Sequence, residues 1–225
     1  GFADPDSGTA MGMLKRALDD DDATVRFLAC QSAGRLGKLE LLQQVLDDKT
    51  RSAQDRAAAL VGIGMIHSDA ARDAIFAALA DDSTVVGATA ARLLGDLGGK
   101  RSLAALIALV GENRGPRVKR AALMALGRIG GEGVQVVEAV TLRHLDNVGT
   151  QAGVDHDTII AACVGLGKGR DPAAADVLFD VATTTKLPVR VRRYAIRSLA
   201  MLAEHAGQEH LKRLMPADAQ GHDFE

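Results

Sequence analysis

Two histidines and three aspartates flank the longest polar connection of the sequence, and these residue types are metal ligands. His144 and Asp146 stand at its start, and Asp155, His156 and Asp157 stand at its end. Imidazole and carboxylate groups from the two ends of one loop can bind a divalent metal such as zinc. The spacing matches no compact metal motif, and an aspartate here is equally suited to capping the next helix. We therefore predict a polar connection without a metal, with His144, Asp146 and His156 as the candidate ligands.

Other stretches resemble catalytic motifs only in part. Residues 165–169 read Gly-Leu-Gly-Lys-Gly but lack the Ser or Thr that follows the lysine of a phosphate-binding loop. Cys30 and Cys163 occupy the same apolar position in two related segments, so we expect two buried thiols without a disulfide. No Ser/His/Asp or Cys/His pairing is supported by the local sequence. We predict no catalytic residue and no cofactor.

The elements that position these residues follow from one recurring pattern, Val25-Arg26-x-x-Ala29-Cys30-x-x-x-Gly34-x-Leu36-Gly37. Its central glycine recurs at Gly34, Gly64, Gly95, Gly127 and Gly167, with Ala200 in the sixth copy. The spacings are 30, 31, 32, 40 and 33 residues. Such a period, with two amphipathic segments per unit, is typical of a helical solenoid.

Each unit is predicted to contain a helix A, a tight turn and a helix B. The predicted A helices are Met11–Leu18, Leu39–Leu46, Ala70–Leu79, Ser102–Val110, Val134–Leu145, Ala173–Ala182 and, as a final capping helix, Gln208–Met215. The predicted B helices are Val25–Leu36, Gln54–Ile66, Val85–Leu97, Val118–Ile129, Thr158–Gly167 and Val191–Ala203. We expect residues 10–215 to form a single repeat domain, between a disordered or cloning-derived segment 1–9 and a polar tail 216–225.

Composition limits the core and the partners. Hydrophobic residues make up 47% of the chain but aromatic residues only 3%, and tryptophan is absent. The core must therefore be built from Ala, Leu, Val and Ile, which suits thin layers of closely packed helices. A net charge of −2 argues against a general nucleic-acid binder. No run of about 20 apolar residues or secretory leader is present.

The units resemble the HEAT repeat family, and their short length is most similar to the HEAT-like repeats of phycobilisome bilin lyases. The resemblance rests on the acidic turn Asp19–Asp22, the Val-Arg pair that opens helix B, the small residues in its middle and the close Leu94–Gly98. It implies an all-α fold, a right-handed α-solenoid of about six antiparallel helix pairs with a terminal capping helix. The family's arginine near the start of helix B corresponds to Arg26, Arg56 and Arg192, while Gly87 and Ile159 interrupt any Asp–Arg ladder.

Helix B lines the concave side in this architecture, so its outward positions should face a groove. If Val25, Ala29, Cys30, Ala33 and Leu36 pack inward, positions 27, 31 and 35 share the opposite stripe. The equivalent positions in all units give the predicted groove residues: Arg35, Met65, Arg92, Arg120, Met124, Arg128, Lys168, Arg193, Arg197 and Met201. Arginine binds carboxylates bidentately and methionine adapts to varied apolar shapes, so this set fits an acidic amphipathic segment.

The sequence thus favours a non-catalytic scaffold or adaptor that binds a partner protein or peptide along its concave surface. The first alternative, implied by the resemblance, is a bilin lyase-like or chromophore-handling subunit. A second is a HEAT-like DNA-binding or DNA-repair protein, which the scarcity of aromatic residues and of acids in the groove argues against. HEAT-like iron hydroxylases carry His-Glu pairs in both halves, whereas Glu204-His205 and Glu209-His210 reverse that order at one end only.

The chain begins with Gly1, so we expect a fragment of a longer protein from which a leader could be missing. We expect a cytoplasmic protein that does not bind membranes. The oligomeric state is left open by the sequence.

Overall fold

The computed structural model describes residues 7–112, 114–150, 152–202 and 206–214, and within these ranges it contains α-helices, one 3-10 segment and no strand. The chain divides into two compact units, 1–93 and 94–225. The first unit contains α1 (Ser7–Leu18), α2 (Ala23–Arg35), α3 (Leu39–Asp47), α4 (Ala53–Ile63), α5 (Asp69–Ala78) and most of α6 (Thr84–Leu97). The second contains α7 (Gly99–Gly111), α8 (Pro116–Ile129), α9 (Glu132–Asp146), α10 (His156–Gly169), a 3-10 segment (Pro172–Ala174), α11 (Ala175–Thr183), α12 (Val189–Met201) and α13 (Ala206–Leu214).

The observed helices follow the predicted A–B alternation, and the all-α prediction is confirmed. We call each A–B pair a layer, so that α2, α4, α6, α8, α10 and α12 are the B helices. Helix α2 packs against α4 in the first unit, and α8 packs against α10 and α10 against α12 in the second. Helix α4 ends at Ile63, earlier than predicted, because the amides of Met65 and Ile66 turn back to the carbonyls of Gly62 and Ile63. The predicted end of the last helix, Met215, lies outside the described residues.

Several A–B turns are held by side-chain caps, whereas α8 and α12 begin after Gly115 and Pro188 without one. Asp22 accepts a hydrogen bond from the amide of Thr24 at 2.6 Å, at the start of α2. Ser52 accepts one from the amide of Asp55 at 3.1 Å, at the start of α4. These caps satisfy helix N–H groups that have no intrahelical partner. Gly37 ends the first layer with φ 66°, a left-handed conformation that favours glycine.

The recurring glycine marks the closest approach between successive B helices. A Cβ atom added to Gly127 would lie 2.6 Å from the backbone nitrogen of Leu166 in α10. One added to Gly167 would lie 2.8 Å from the Cβ of Ser198 in α12. No real side chain tolerates such distances, so the period seen in the sequence is a packing requirement of the layers.

The two cysteines are free and buried, as predicted. Cys30 is 1% exposed and Cys163 is 0% exposed. Burial raises the pKa of the Cys30 thiol to about 11 and that of Cys163 to about 12. Both side chains therefore serve as small apolar packing residues.

Two residues predicted to pack inward do not. Val25 is 36% exposed and Leu36 is 61% exposed, whereas Ala29, Cys30 and Ala33 are buried as expected. In later B helices the residues that correspond to Val25, such as Val118 and Val191, are almost completely buried. Helix α2 belongs to the first layer, so no earlier B helix covers this side of it among the described residues.

Candidate partner-binding surface

The outward positions of the B helices differ in exposure and in charge pairing. In the first unit, Arg35 and Arg92 are exposed and Met65 is half-buried. In the second unit, Lys168, Arg193, Arg197 and Met201 are exposed, whereas Arg120, Met124 and Arg128 are half-buried. The two sets belong to separate compact units. Most of the predicted residues lie in the second unit.

Two of the predicted groove arginines are neutralised within the chain. Arg128 Nη2 lies 2.9 Å from Asp96 Oδ1. Arg120 Nη1 lies 3.8 Å from Asp155 Oδ1 and 3.7 Å from Asp157 Oδ2, so it links α8 to the start of α10. A partner would have to compete with these carboxylates for both arginines. Both guanidinium groups are therefore less available to a further carboxylate than an unpaired arginine would be.

The cations of α12 divide into paired and unpaired ones. Arg190 forms an ion pair with Asp157 of α10. Arg193 and Arg197, four residues apart on one side of the helix, form no ion pair with any described residue and are exposed. Sequence reasoning did not single out Arg190, because its partner lies in another layer.

Apolar side chains surround these arginines. Tyr194 is 37% exposed, Ile196 is 40% exposed and Met201 is 39% exposed. An open hollow of about 550 Å³ lies against the helix and is lined by Arg190, Arg193, Tyr194, Ile196, Arg197 and Ala200. Exposed apolar surface next to unpaired guanidinium groups is the composition expected of a protein-binding surface.

In the first unit, arginines at one register connect successive layers. Arg26 Nε donates to Asp55 Oδ1 at 2.8 Å, and Arg56 Nη1 donates to Asp81 Oδ2 at 2.6 Å. Lys49 Nζ also lies 2.6 Å from Asp81 Oδ2. Burial alone would raise the pKa of Asp81, but the hydrogen bonds from Arg56 and Lys49 prevail and lower it to about 2. The carboxylate therefore remains charged and holds two layers together.

The ladder is interrupted where the sequence predicts. Ile159 occupies the arginine position in α10 and is 0% exposed. In the second unit the link between layers is made instead by Arg120 and Arg190, which meet at Asp157. Arg192, the next arginine at the ladder position, is half-buried and forms no ion pair with any described residue.

The structure describes the positions and contacts of the candidate metal ligands in the long connection. Asp155 caps α10: its Oδ1 accepts the amides of Asp157 at 3.1 Å and Thr158 at 3.2 Å, which confirms the capping interpretation. His144 is half-buried, and burial lowers its pKa. His156 opens α10 and Asp146 is exposed at the end of α9. Within the described ranges, no group of three or more His, Cys, Asp or Glu side chains could hold a metal ion.

The remaining motif-like residues also have packing roles. Gly165 faces α8, where an added Cβ would lie 2.7 Å from the Cα of Met124, so the glycines of 165–169 allow helices to approach. His210 Nε2 lies 2.9 Å from Asp176 Oδ1, and its ring meets Phe179 edge-on at 5.2 Å, which holds α13 on α11. Glu204 and His205 lie outside the described residues.

Comparison with known families agrees with this architecture. The family model for HEAT repeats matches residues 39–127 and 73–142. Residues 39–142 of this chain are thus similar to HEAT repeats. The matched repeats run from α3 to α9 and include the Arg56–Asp81 link. No curated protein sequence matches the chain.

Solved structures extend the likeness over most of the chain. The CpcE–CpcF complex of phycocyanin lyase from Nostoc sp. is similar with a TM-score of 0.54 and 19% identity, over 89% of this chain and 80% of that one. This likeness confirms the α-solenoid fold of the HEAT repeats. Two further structures are more distant. Human deoxyhypusine hydroxylase has a TM-score of 0.39 and 18% identity, over 96% of this chain and 79% of that one. An engineered protein has a TM-score of 0.42 and 17% identity, over 86% of this chain and 96% of that one.

Within the described residues, no helix combines the length and the apolar character needed to cross a membrane.

Proposed function

We propose that this chain is a non-catalytic scaffold that binds an acidic segment of a partner protein through the exposed B-helix surface of residues 94–225. One observation carries the proposal. Arg193 and Arg197 are exposed and unpaired within the described residues, beside the exposed Tyr194 and Met201. Aromatic, methionine and arginine side chains are enriched in protein interfaces, and an unpaired guanidinium group attracts carboxylates.

The repeat fold supports the same proposal. HEAT-type layers build an extended surface from helices whose core positions are fixed by packing, which leaves the outward positions free to vary. The structure with the similar fold is itself a complex of two proteins, CpcE and CpcF. Lys168, at an outward position of α10, is exposed as well. Both thiols are buried, so neither supplies an accessible nucleophile.

The test is capture of partners from lysate of the source cells at low and high salt, with two variants as baits. The first variant is Arg193→Glu with Arg197→Glu. The second is Lys100→Glu with Arg143→Glu, which makes the same change of charge on the A helices α7 and α9. Arg120 and Arg128 are left unchanged, because reversing them would break ion pairs within the chain.

We expect a set of proteins that is retained at low salt, released at high salt and lost only with the Arg193/Arg197 variant. Identical capture by both variants would contradict the proposal. A coloured complex formed on mixing the chain with a bilin would also contradict it and would favour the chromophore-handling alternative.

A further inference from the structure

One position is buried in every layer except the last. The residue four places before the recurring glycine is Cys30, Leu60, Ala91, Leu123 or Cys163 in the first five layers, and each is at most 1% exposed. In the sixth layer this residue is Ile196, which is 40% exposed. In α8 the equivalent Leu123 lies under α10, because its carbonyl oxygen is 3.0 Å from a Cβ added to Gly165. Helix α12 thus leaves uncovered the face on which every earlier B helix receives the next one.

Three neighbours of Ile196 complete this surface. Helical spacing places Val189, Arg192, Ile196 and Ala200 within an arc of about 80°, and we call these four residues the α12 outer face. Val189 is 62% exposed. The stripe of Val191, Ala195 and Leu199, turned by about 100° around the helix axis, has 0% exposure and packs into the protein. On the outer face Val189, Ile196 and Ala200 are exposed and apolar, and Arg192 is half-buried at the edge next to the buried stripe.

Ala200 shows what cannot cover this face. Ala200 takes the place of the recurring glycine. At Gly64, Gly95, Gly127 and Gly167, an added Cβ would lie 2.8 Å or less from an atom of the next layer. A further layer in the same register, whether from this chain or from a second copy, would collide with the Ala200 methyl group. A helix packed at the ordinary interaxial distance of about 8–10 Å would not.

The arginines show which charge the covering helix should carry. In three cases a B-helix arginine meets a carboxylate of the following layer: Arg26 meets Asp55, Arg56 meets Asp81, and Arg120 meets Asp155 and Asp157. Arg192 stands at the register of Arg26 and Arg56, and Arg193 at that of Arg120. Neither forms an ion pair with a described residue. Arg192 on the outer face and Arg193 beside it thus place cations at positions where, in those layers, a carboxylate of the following layer binds.

From these observations we infer that the α12 outer face binds an amphipathic helix of a partner protein that carries carboxylates beside its apolar stripe. The inference rests on the scaffold function proposed above and specifies the partner's chemistry and its position. Apolar side chains of the partner would cover Val189 and Ile196 and contact Ala200. Its carboxylates would pair with Arg192 and Arg193. In the inner layers, Asp55 pairs with Arg26 and Asp81 with Arg56 in the same way.

The direct test uses a fluorescent, helix-stabilised peptide of about 18 residues, with leucine at helical spacing on one face and glutamate beside it. Binding to the whole chain is measured by anisotropy. The matched peptide has lysine in place of every glutamate. Protein variants are Ile196→Asp and Arg192→Gln at the outer face, and Arg193→Glu with Arg197→Glu at the neighbouring stripe. Circular dichroism and thermal unfolding show whether each variant remains folded.

We expect the acidic peptide to bind with a Kd on the order of 10–100 µM and the lysine peptide at least about tenfold more weakly. Ile196→Asp should weaken binding by about tenfold or more, and Arg192→Gln by about threefold to tenfold. Unchanged binding in both outer-face variants, with loss in the Arg193/Arg197 variant, would overturn this inference but keep the scaffold proposal. No binding of the acidic peptide to the unchanged chain, or stronger binding of the lysine peptide, would also overturn it.

Discussion

Gly127 and Leu166 lie so close that a Cβ atom on Gly127 would stand 2.6 Å from the backbone nitrogen of Leu166. Helices α8 and α10 therefore touch backbone to backbone, without side chains between them. The recurring glycine of the sequence thus lies where successive layers are in contact. The packing of the layers determines which sides of the B helices stay exposed and can bind a partner.

Replacing Gly127 with alanine should destabilise the second unit, because neither backbone can move without displacing its helix. We expect a loss of about 2–4 kcal/mol in the free energy of unfolding. Gly12→Ala in α1 is the matched control, since an added Cβ there meets nothing within 4 Å, and it should be neutral or stabilising by up to about 1 kcal/mol. Urea unfolding of both variants measures the difference. Equal stability of the two would contradict the layer contact.

Asp81→Asn should destabilise the first unit by removing the carboxylate shared by Arg56 and Lys49. The Asp81 side chain is only 7% exposed, so we expect a loss of about 2–3 kcal/mol. Asp69→Asn provides the control: Asp69 also pairs with an arginine, Arg72, but its side chain is 93% exposed. That change should cost no more than about 0.5–1 kcal/mol. Similar losses in both variants, again by urea unfolding, would argue against the ladder.

The Asp81 contribution should also depend on pH. Its pKa is lowered from the ordinary 3.8 to about 2, so the folded state favours the charged form. The stabilisation is fully present above a pH of about 4 and is lost as the pH falls toward about 2. The difference in stability between the unchanged chain and Asp81→Asn should therefore shrink over that window. A difference that stays constant from pH 6 to pH 2 would mean that the ion pair does not hold the layers.

Neither cysteine should react in the folded protein. Burial raises the pKa of Cys30 to about 11 and that of Cys163 to about 12, and both side chains are inaccessible. Absorbance with a thiol-reactive disulfide reagent at pH 8 should stay at baseline until denaturant is added, when two thiols per chain should appear. Stoichiometric reaction of a thiol in the folded state would show that the layer around it opens.

The fold was predictable because one glycine fixes the period and several A–B turns carry a capping side chain. The surface was only partly predictable. Arg120 and Arg128 look like free cations in the sequence, but their acids lie in other layers, and Asp157 lies within the lengthened interval of 40 residues between Gly127 and Gly167. Ile196 occupies a position that is buried in every other layer, so its exposure follows from what is packed beside α12 and not from its type or spacing.

The central claim is that unpaired arginines of α12 bind a partner's carboxylates. The most direct measurement is the Kd of a partner captured by the unchanged chain, determined by calorimetry over a range of salt concentrations for that chain and both double variants. We predict that Arg193→Glu with Arg197→Glu weakens binding at least about tenfold and flattens its salt dependence, while Lys100→Glu with Arg143→Glu changes the Kd by less than about twofold. Equal affinity of all three proteins, with the same salt dependence, would contradict the account.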